Sequence, residues 1–245
     1  MSRNFELLRR AGKEDVLFGR SNGDPLPNDD GHRPLGLGSS AQEETLKLVE
    51  RMFLFPNSHS PRAVVFSSVQ GNGSSEICCR AGKVLATQGS GSVCLVDANL
   101  RAPSLHQLLG VGKFPGLADA TVKPGPIKDF TVRIPEGNLW LLPSGSSAAE
   151  AQRLFASDRL RSRLGELVEE FEFVLIDAPA VGSGSDAVLL GQMADGVVLV
   201  LEANSTRRET ARMAKESLES ANVKLLGAVL NNRTFPIPEA LYRKL

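Results

Sequence analysis

Residues 63–75 read AVVFSSVQGNGSS, and this stretch decides the fold. Ala63–Ser67 opens it as a short apolar run without polar alternation, which predicts a strand buried on both faces. Gly71 and Gly73 follow. Ser74–Gln88 then reads as a helix, with Ile77, Ala81, Val84 and Leu85 on one face. A glycine-containing turn between a buried strand and a helix N-terminus suits a phosphate. Glycines let backbone N–H groups curl around an anion, and the helix dipole adds partial positive charge. Taken alone this is a weak signal, because many strand–helix turns contain glycine and serine.

The same alternation extends outward from this stretch. Val93–Val96, Leu139–Leu142, Phe173–Ile176, Val197–Leu201 and Leu225–Leu230 read as strands. Gln42–Phe53 reads as a helix before the first strand, with Leu46, Val49 and Phe53 at helical spacing. Ser157 reads as the N-cap of a helix to Phe171, whose stripe is Leu160, Leu164, Leu167, Val168 and Phe171. Thr206 and Glu209 have capping-box spacing at the start of a helix to about Ala221. Apolar strands separated by amphipathic helices predict an α/β fold. Its sheet is mostly parallel with helices on both faces, in three α/β/α layers. Ligands bind such sheets at the carboxyl ends of the strands, where strand order switches.

The residues just after the strands are therefore the informative ones. Asp97-Ala98-Asn99-Leu100-Arg101 follows the second strand. Asp177-Ala178-Pro179 follows the strand at Phe173–Ile176. An aspartate at the end of a buried parallel strand stands where Mg²⁺ or its waters are held beside a nucleotide phosphate. A bland alternative is an aspartate that caps the next turn. Two aspartates and a glycine turn on one sheet edge favour a nucleotide-type site, in use or ancestral.

Composition bounds the rest. The chain has 245 residues, 42% hydrophobic and 23% charged, which suffices for a full core. Its 28 Lys+Arg balance 28 Asp+Glu, so bulk charge gives no attraction to nucleic acid or anionic lipid. No apolar run approaches the roughly 20 residues that span a bilayer. Met1–Lys13 is charged throughout and has no apolar stretch of the signal-peptide kind. Cys78, Cys79 and Cys94 lack metal-ligand spacing and read as reduced, buried thiols. His32, His59 and His106 are scattered, and His106 reads as a helix-surface residue. Residues 1–40 read as a flexible N-terminal segment and 41–245 as the domain. Within the segment, Asn4–Lys13 reads as a short helix, either a tail or a docking peptide. Ser21–Ser40 reads as a linker.

The segment VCLVDANLRAPSL (93–105) resembles the second nucleotide motif of the bacterial tyrosine kinases that regulate capsule and exopolysaccharide assembly. These are P-loop proteins related to MinD/ParA-type ATPases. FEFVLIDAPAV (171–181) is similar to their Walker B region. LWLLPS (139–144), Asp186-Ala187, Asp195-Gly196 and GAVLN (227–231) fall in the family's order, and MSRNFELLRRAGK (1–13) resembles the start of stand-alone members. The resemblance covers nearly the whole chain and implies a P-loop NTPase-like fold. It further implies that Gly71, Asn72, Gly73, Ser74 and Ser75 wrap the phosphates of ATP. Ser75 would touch Mg²⁺, Asp97 and Asp177 would serve as metal-site and water-orienting acids, and Asn231 would approach the purine. It also implies a cytoplasmic location, held at the inner membrane face by a membrane-anchored polysaccharide co-polymerase, and a homo-oligomer.

The sequence departs from that pattern at chosen places. The family loop ends Gly-Lys-Ser/Thr; here Ser74 replaces the lysine, a point charge on the β/γ-phosphates. Glu76 adds a negative charge in the first helical turn. Asn99 replaces the second acid of a DxD pattern. The Glu/Arg pattern for oligomer contacts reads Glu44, Lys47 and Glu50, so one positive position has become negative. In place of a C-terminal tyrosine cluster there is Tyr242 alone. Arg101 and Lys83 are the candidates to restore the missing charge, with Arg101 better placed.

These features lead to a degenerate, kinase-like regulator or scaffold of polysaccharide assembly that binds nucleotide weakly or not at all. Two alternatives stay open. One is an active ATPase or tyrosine autokinase with a noncanonical loop, and the other is a MinD/ParA-type positioning ATPase.

Overall fold

The computed structural model describes residues 39–54, 60–71, 73–89, 91–145, 155 and 157–232. The expected helix at Asn4–Lys13, most of the expected 1–40 segment, Asn72, His32, His59 and Tyr242 lie outside them.

A helix, α1 (Ser39–Val49), leads through a π-helical turn at Glu50–Leu54 to strand β1 (Ala63–Ser68). The chain continues with α2 (Ser74–Gln88), β2 (Val93–Asp97), the short helices α3 (Leu105–Leu108) and α4 (Leu117–Val122), β3 (Val132–Ile134) and β4 (Leu139–Leu142). Then come α5 (Asp158–Glu170), β5 (Phe173–Asp177), α6 (Asp186–Met193), β6 (Gly196–Glu202), α7 (Arg208–Ser220) and β7 (Leu225–Asn231). The seven strands form one sheet in the order β3-β4-β2-β5-β1-β6-β7. All pairs are parallel except β3 with β4 at one edge.

Every residue of β1, β2 and β5 is buried, the expected consequence of helices on both faces. One layer of core joins Val65, Val96, Ile176 and Leu199 of the sheet to Leu160, Leu164 and Leu167 of α5 and to Leu190 of α6. Cys78, Cys79 and Cys94 are buried free thiols, and burial raises the pKa of each. Leu167 is fully buried, so Leu167→Ala is expected to cost about 2–5 kcal/mol of stability, read from a urea melt. A loss below about 1 kcal/mol would show that α5 does not anchor this layer.

Four expectations change. The first helix starts at Ser39 and widens into the π turn after Val49 instead of running evenly from Gln42 to Phe53. The capping box at α7 does not form. The Thr206 hydroxyl instead accepts from the Glu202 N–H at 2.8 Å, and Arg207 occupies the N-cap without a side-chain bond. His106 is buried, 9% exposed, in α3, and burial lowers its pKa. The antiparallel strand β3 and the helices α3, α4 and α6 join the elements read from sequence. Ser157 does cap α5, accepting from Leu160 N–H at 3.3 Å.

Candidate functional site

The strand order places β1 between β5 and β6, with β2 beyond β5. The chain runs from β1 to one side of the sheet, returns through β5 and crosses β1 to reach β6. The carboxyl ends of β1 and β5 therefore stand at the switch point.

Two carboxylates meet there. Asp97 ends β2, Asp177 ends β5, and they are direct register partners. The ladder continues past both, with Ala98 N–H donating to Asp177 O at 2.9 Å and Ala178 N–H to Phe66 O at 3.0 Å. Backbone pairing thus fixes where the acids point. Asp97 Oδ2 accepts from the N–H groups of Ser104 and Leu105, each at 3.0 Å. Asp97 Oδ1 and both oxygens of Asp177 are buried without a hydrogen-bond partner among the described residues.

Burial raises the Asp177 carboxyl to about 7; Asp97 nearby adds to the rise, while the Ser75 and Ser74 hydroxyls oppose it. Those hydroxyls stand close enough to favour the carboxylate yet do not complete a hydrogen bond to it. Burial also raises Asp97 to about 6, partly offset by the Leu105 and Ser104 N–H groups. Two fully buried acids with three unsatisfied oxygens are costly without a cation.

The loop after β1 forms the facing wall. Val69 N–H donates to Val200 O at 3.2 Å, the Ser67 hydroxyl to Pro179 O at 2.6 Å and the Ser68 hydroxyl to Gly71 O at 3.0 Å. The loop is thereby tied to β6, to the turn after β5 and to itself. Gly71 (φ 77°) and Gly73 (φ 109°) are left-handed, which explains glycine at both. A Cβ on Gly73 would also lie 2.7 Å from Asn231 Nδ2. Asn231, at the end of β7, therefore rests against the loop after β1. Gly73→Ala combines backbone strain with this contact and is expected to destabilise by about 1–3 kcal/mol, read as a fall in Tm. An unchanged Tm would mean that the loop relaxes freely.

Ser74 is buried at the start of α2, while Ser75 is half-buried. The other candidates fall as follows. Arg101 Nη2 lies 3.5 Å from Asp186 Oδ2, with the arginine side chain 51% exposed and the aspartate 8%. Lys83 pairs with Glu136 at 3.1 Å, in the turn between β3 and β4, and is engaged away from the loop. Asn99 Oδ1 accepts from Ala102 N–H at 3.3 Å, so it caps its own turn. Lys47 pairs with Glu43 and Glu44, each at 3.1 Å, which engages the remaining positive position of the α1 pattern.

Sequence reading missed Arg80, ion-paired to Glu76, and Asp186 as the partner of Arg101. The spacing of four between Glu76 and Arg80 was available as a signal. The contact between Arg101 and Asp186, 85 residues apart, was not.

The donor set fits Mg²⁺, which takes oxygen ligands and uses one or two carboxylates plus substrate phosphates. Asp97, Asp177 and the Ser75 hydroxyl would hold it, and its charge would match the buried pair. Among the described residues there is no cluster of three or more metal-ligating His, Cys, Asp or Glu side chains.

No family model matches the chain. Tyrosine-protein kinase YwqD of Bacillus subtilis (strain 168) is 31% identical over 170 residues, covering 69% of this chain and 71% of that protein. The chain belongs to the bacterial tyrosine-protein kinase family. Tyrosine-protein kinase CpsD of Streptococcus agalactiae is 24% identical over 190 residues, 77% of this chain and 82% of its own. By contrast, the putative tyrosine-protein kinase EpsB of Ralstonia nicotianae is matched over 24% of its length.

Among solved structures, the chimerical protein CapA2B2 superposes with a TM-score of 0.74 at 24% identity, covering 79% of this chain and 85% of that one. Cobyrinic acid a,c-diamide synthase from Mycobacterium smegmatis, with bound ATP analog and magnesium, gives 0.57 at 22% identity over 69% of this chain and 72% of its own. Both show the P-loop NTPase-like fold.

Proposed function

We propose that this family member is a degenerate tyrosine-kinase-like protein that regulates or scaffolds capsule or exopolysaccharide assembly. It docks on a membrane-anchored polysaccharide co-polymerase at the inner face of the membrane. The single observation that carries the reading is a site with one half retained and one half lost. The cation-holding half is present as Asp97, Asp177 and Ser75, with three carboxylate oxygens unsatisfied. The half that neutralises β/γ-phosphates lacks its lysine, because Ser74 stands there, buried and short.

In this reading Gly71, Asn72, Gly73, Ser74 and Ser75 cradle phosphate through backbone and hydroxyl groups, and Asn231 closes the loop from the side. Mg²⁺-nucleotide binding is weak, and phosphoryl transfer, which depends on electrostatic stabilisation, is weaker still. Titration with a fluorescent ATP analogue and Mg²⁺ tests this, comparing the native protein with Ser74→Lys. Negligible or weak binding that Ser74→Lys strengthens supports it. Micromolar binding by the native protein, with ATP turnover lost in Asp177→Asn, overturns it.

One observation favours the second reading, an active ATPase or autokinase. Arg101 is half-exposed and, among the described residues, is held by a long pair to Asp186. Released from Asp186, it could turn toward phosphates on the same sheet edge and supply charge. Under this reading Arg101→Ala removes nucleotide binding; under the first it changes binding little. Among the described residues no helix is long and apolar enough to cross a membrane, in keeping with attachment through a partner.

A further inference from the structure

Glu76 presents a difficulty that the loss of the lysine alone does not. It lies in the first turn of α2, where backbone N–H groups and the helix dipole favour an anion. A carboxylate there suits an empty helix end and opposes a bound phosphate. The chain has already lost one positive charge at Ser74, so a free Glu76 would compound the loss.

The Glu76 carboxylate is not free. Its Oε1 accepts from Arg80 Nη2, one turn further along α2. The two side chains are 35% and 17% exposed, respectively, and Arg80 Nε is buried with no partner among the described residues. A solvent-exposed pair at this spacing would be worth little and would fluctuate. Here the arginine is largely enclosed and has little room to leave. The pair also runs in the favourable direction, acid N-terminal to base, which draws the carboxylate along the helix toward its second turn.

We propose that Arg80 is a positioning residue for the phosphate loop. By pairing with Glu76 it cancels that charge and turns the carboxylate away from the anion position, so the helix end stays open to a phosphate despite the acid beside it. The proposal rests on the nucleotide reading of the loop and deepens it. Arg80 acts through Glu76 and touches no ligand.

The test is a double-mutant cycle on binding of the fluorescent ATP analogue with Mg²⁺. It uses the full chain, in both the native loop and the Ser74→Lys loop. Arg80→Ala is expected to weaken binding about three- to tenfold, by leaving Glu76 charged and unpaired near the anion. Glu76→Gln with Arg80→Ala is expected to restore affinity to within about twofold, and Arg80→Lys to retain most of it. Thermal melts accompany each variant. A purely structural arginine would lose binding in Arg80→Ala without recovery in the double variant, and that result overturns the proposal. Binding unchanged in Arg80→Ala overturns it while leaving the nucleotide reading intact. Absence of binding in both loops overturns the nucleotide reading and this proposal with it.

Discussion

Ser74→Lys is expected to raise affinity for the Mg²⁺-bound ATP analogue by about ten- to a hundred-fold. One charge-assisted hydrogen bond is worth roughly 1.5–3 kcal/mol, which converts to that factor. The surroundings are prepared for the gain. Ser74 begins α2 beside the left-handed Gly73, so a lysine there would start from the backbone position proposed to cradle the phosphates. The Ser75 hydroxyl remains beside Asp177, and the two acids remain in register. A smaller gain, below about threefold, would mean that the loop backbone no longer forms a phosphate cradle. The loss would then reach beyond the one side chain.

Asp177→Asn is expected to raise the Tm of the ligand-free protein at pH 8 and to flatten the fall in stability toward that pH. The direction follows from proton counting. Burial lifts Asp177 to about 7 and Asp97 to about 6, both above the value near 3.9 of an unfolded aspartate. Between roughly pH 4 and 7 the folded chain therefore binds more protons than the unfolded chain. Stability falls as pH rises through that window and levels off once both acids are ionised in both states. The two titrations are linked, because the Asp97 charge adds to the rise at Asp177. The cost at pH 8 is on the order of 3 kcal/mol per carboxylate, and Asn removes one of the charges. In the Ser74→Lys loop, Mg²⁺ with nucleotide is expected to oppose the effect, stabilising the protein with Asp177 at pH 8 more than its Asp177→Asn counterpart. Melts from pH 5 to pH 8 decide the matter. A lower Tm at pH 8 for Asp177→Asn would show that the ionised carboxylate is already satisfied without a cation.

The two results bear on different halves of the site. A gain in Ser74→Lys with a stabilised Asp177→Asn is the pattern of a nucleotide site kept in shape and reduced in charge. No gain with a stabilised Asp177→Asn would leave only the cation-holding half intact.

Much of this molecule was legible before any coordinates. β1, β2 and β5 announce themselves because a strand buried on both faces has no polar alternation, and a parallel sheet buries its strands in this way. α2 was legible to the residue, from Ser74 to Gln88, because glycines flank it at 73 and 89. Asp97 and Asp177 were found because a strand end is a fixed place in such a sheet. β3 escaped because it is three residues long at a sheet edge, with only Ile134 buried. α6 escaped because DAVLLGQM lacks a clear polar stripe. Thr206 misled because its hydroxyl had two uses within reach, and the nearby Glu202 N–H won.

The sequence by itself determined the layers, the strand ends and the chemistry gathered at them, including the absence of the loop lysine. These are local properties, set by side-chain polarity and backbone preference within a few residues. Tertiary structure alone decided what those groups meet. It put Asp97 opposite Asp177, laid Asn231 against Gly73, gave Arg101 to Asp186 and left three carboxylate oxygens without partners among the described residues. Such pairings depend on strand order and register across the sheet, which link residues far apart in the chain. Only the folded sheet fixes which of them become neighbours and how deeply water is excluded from the space between them.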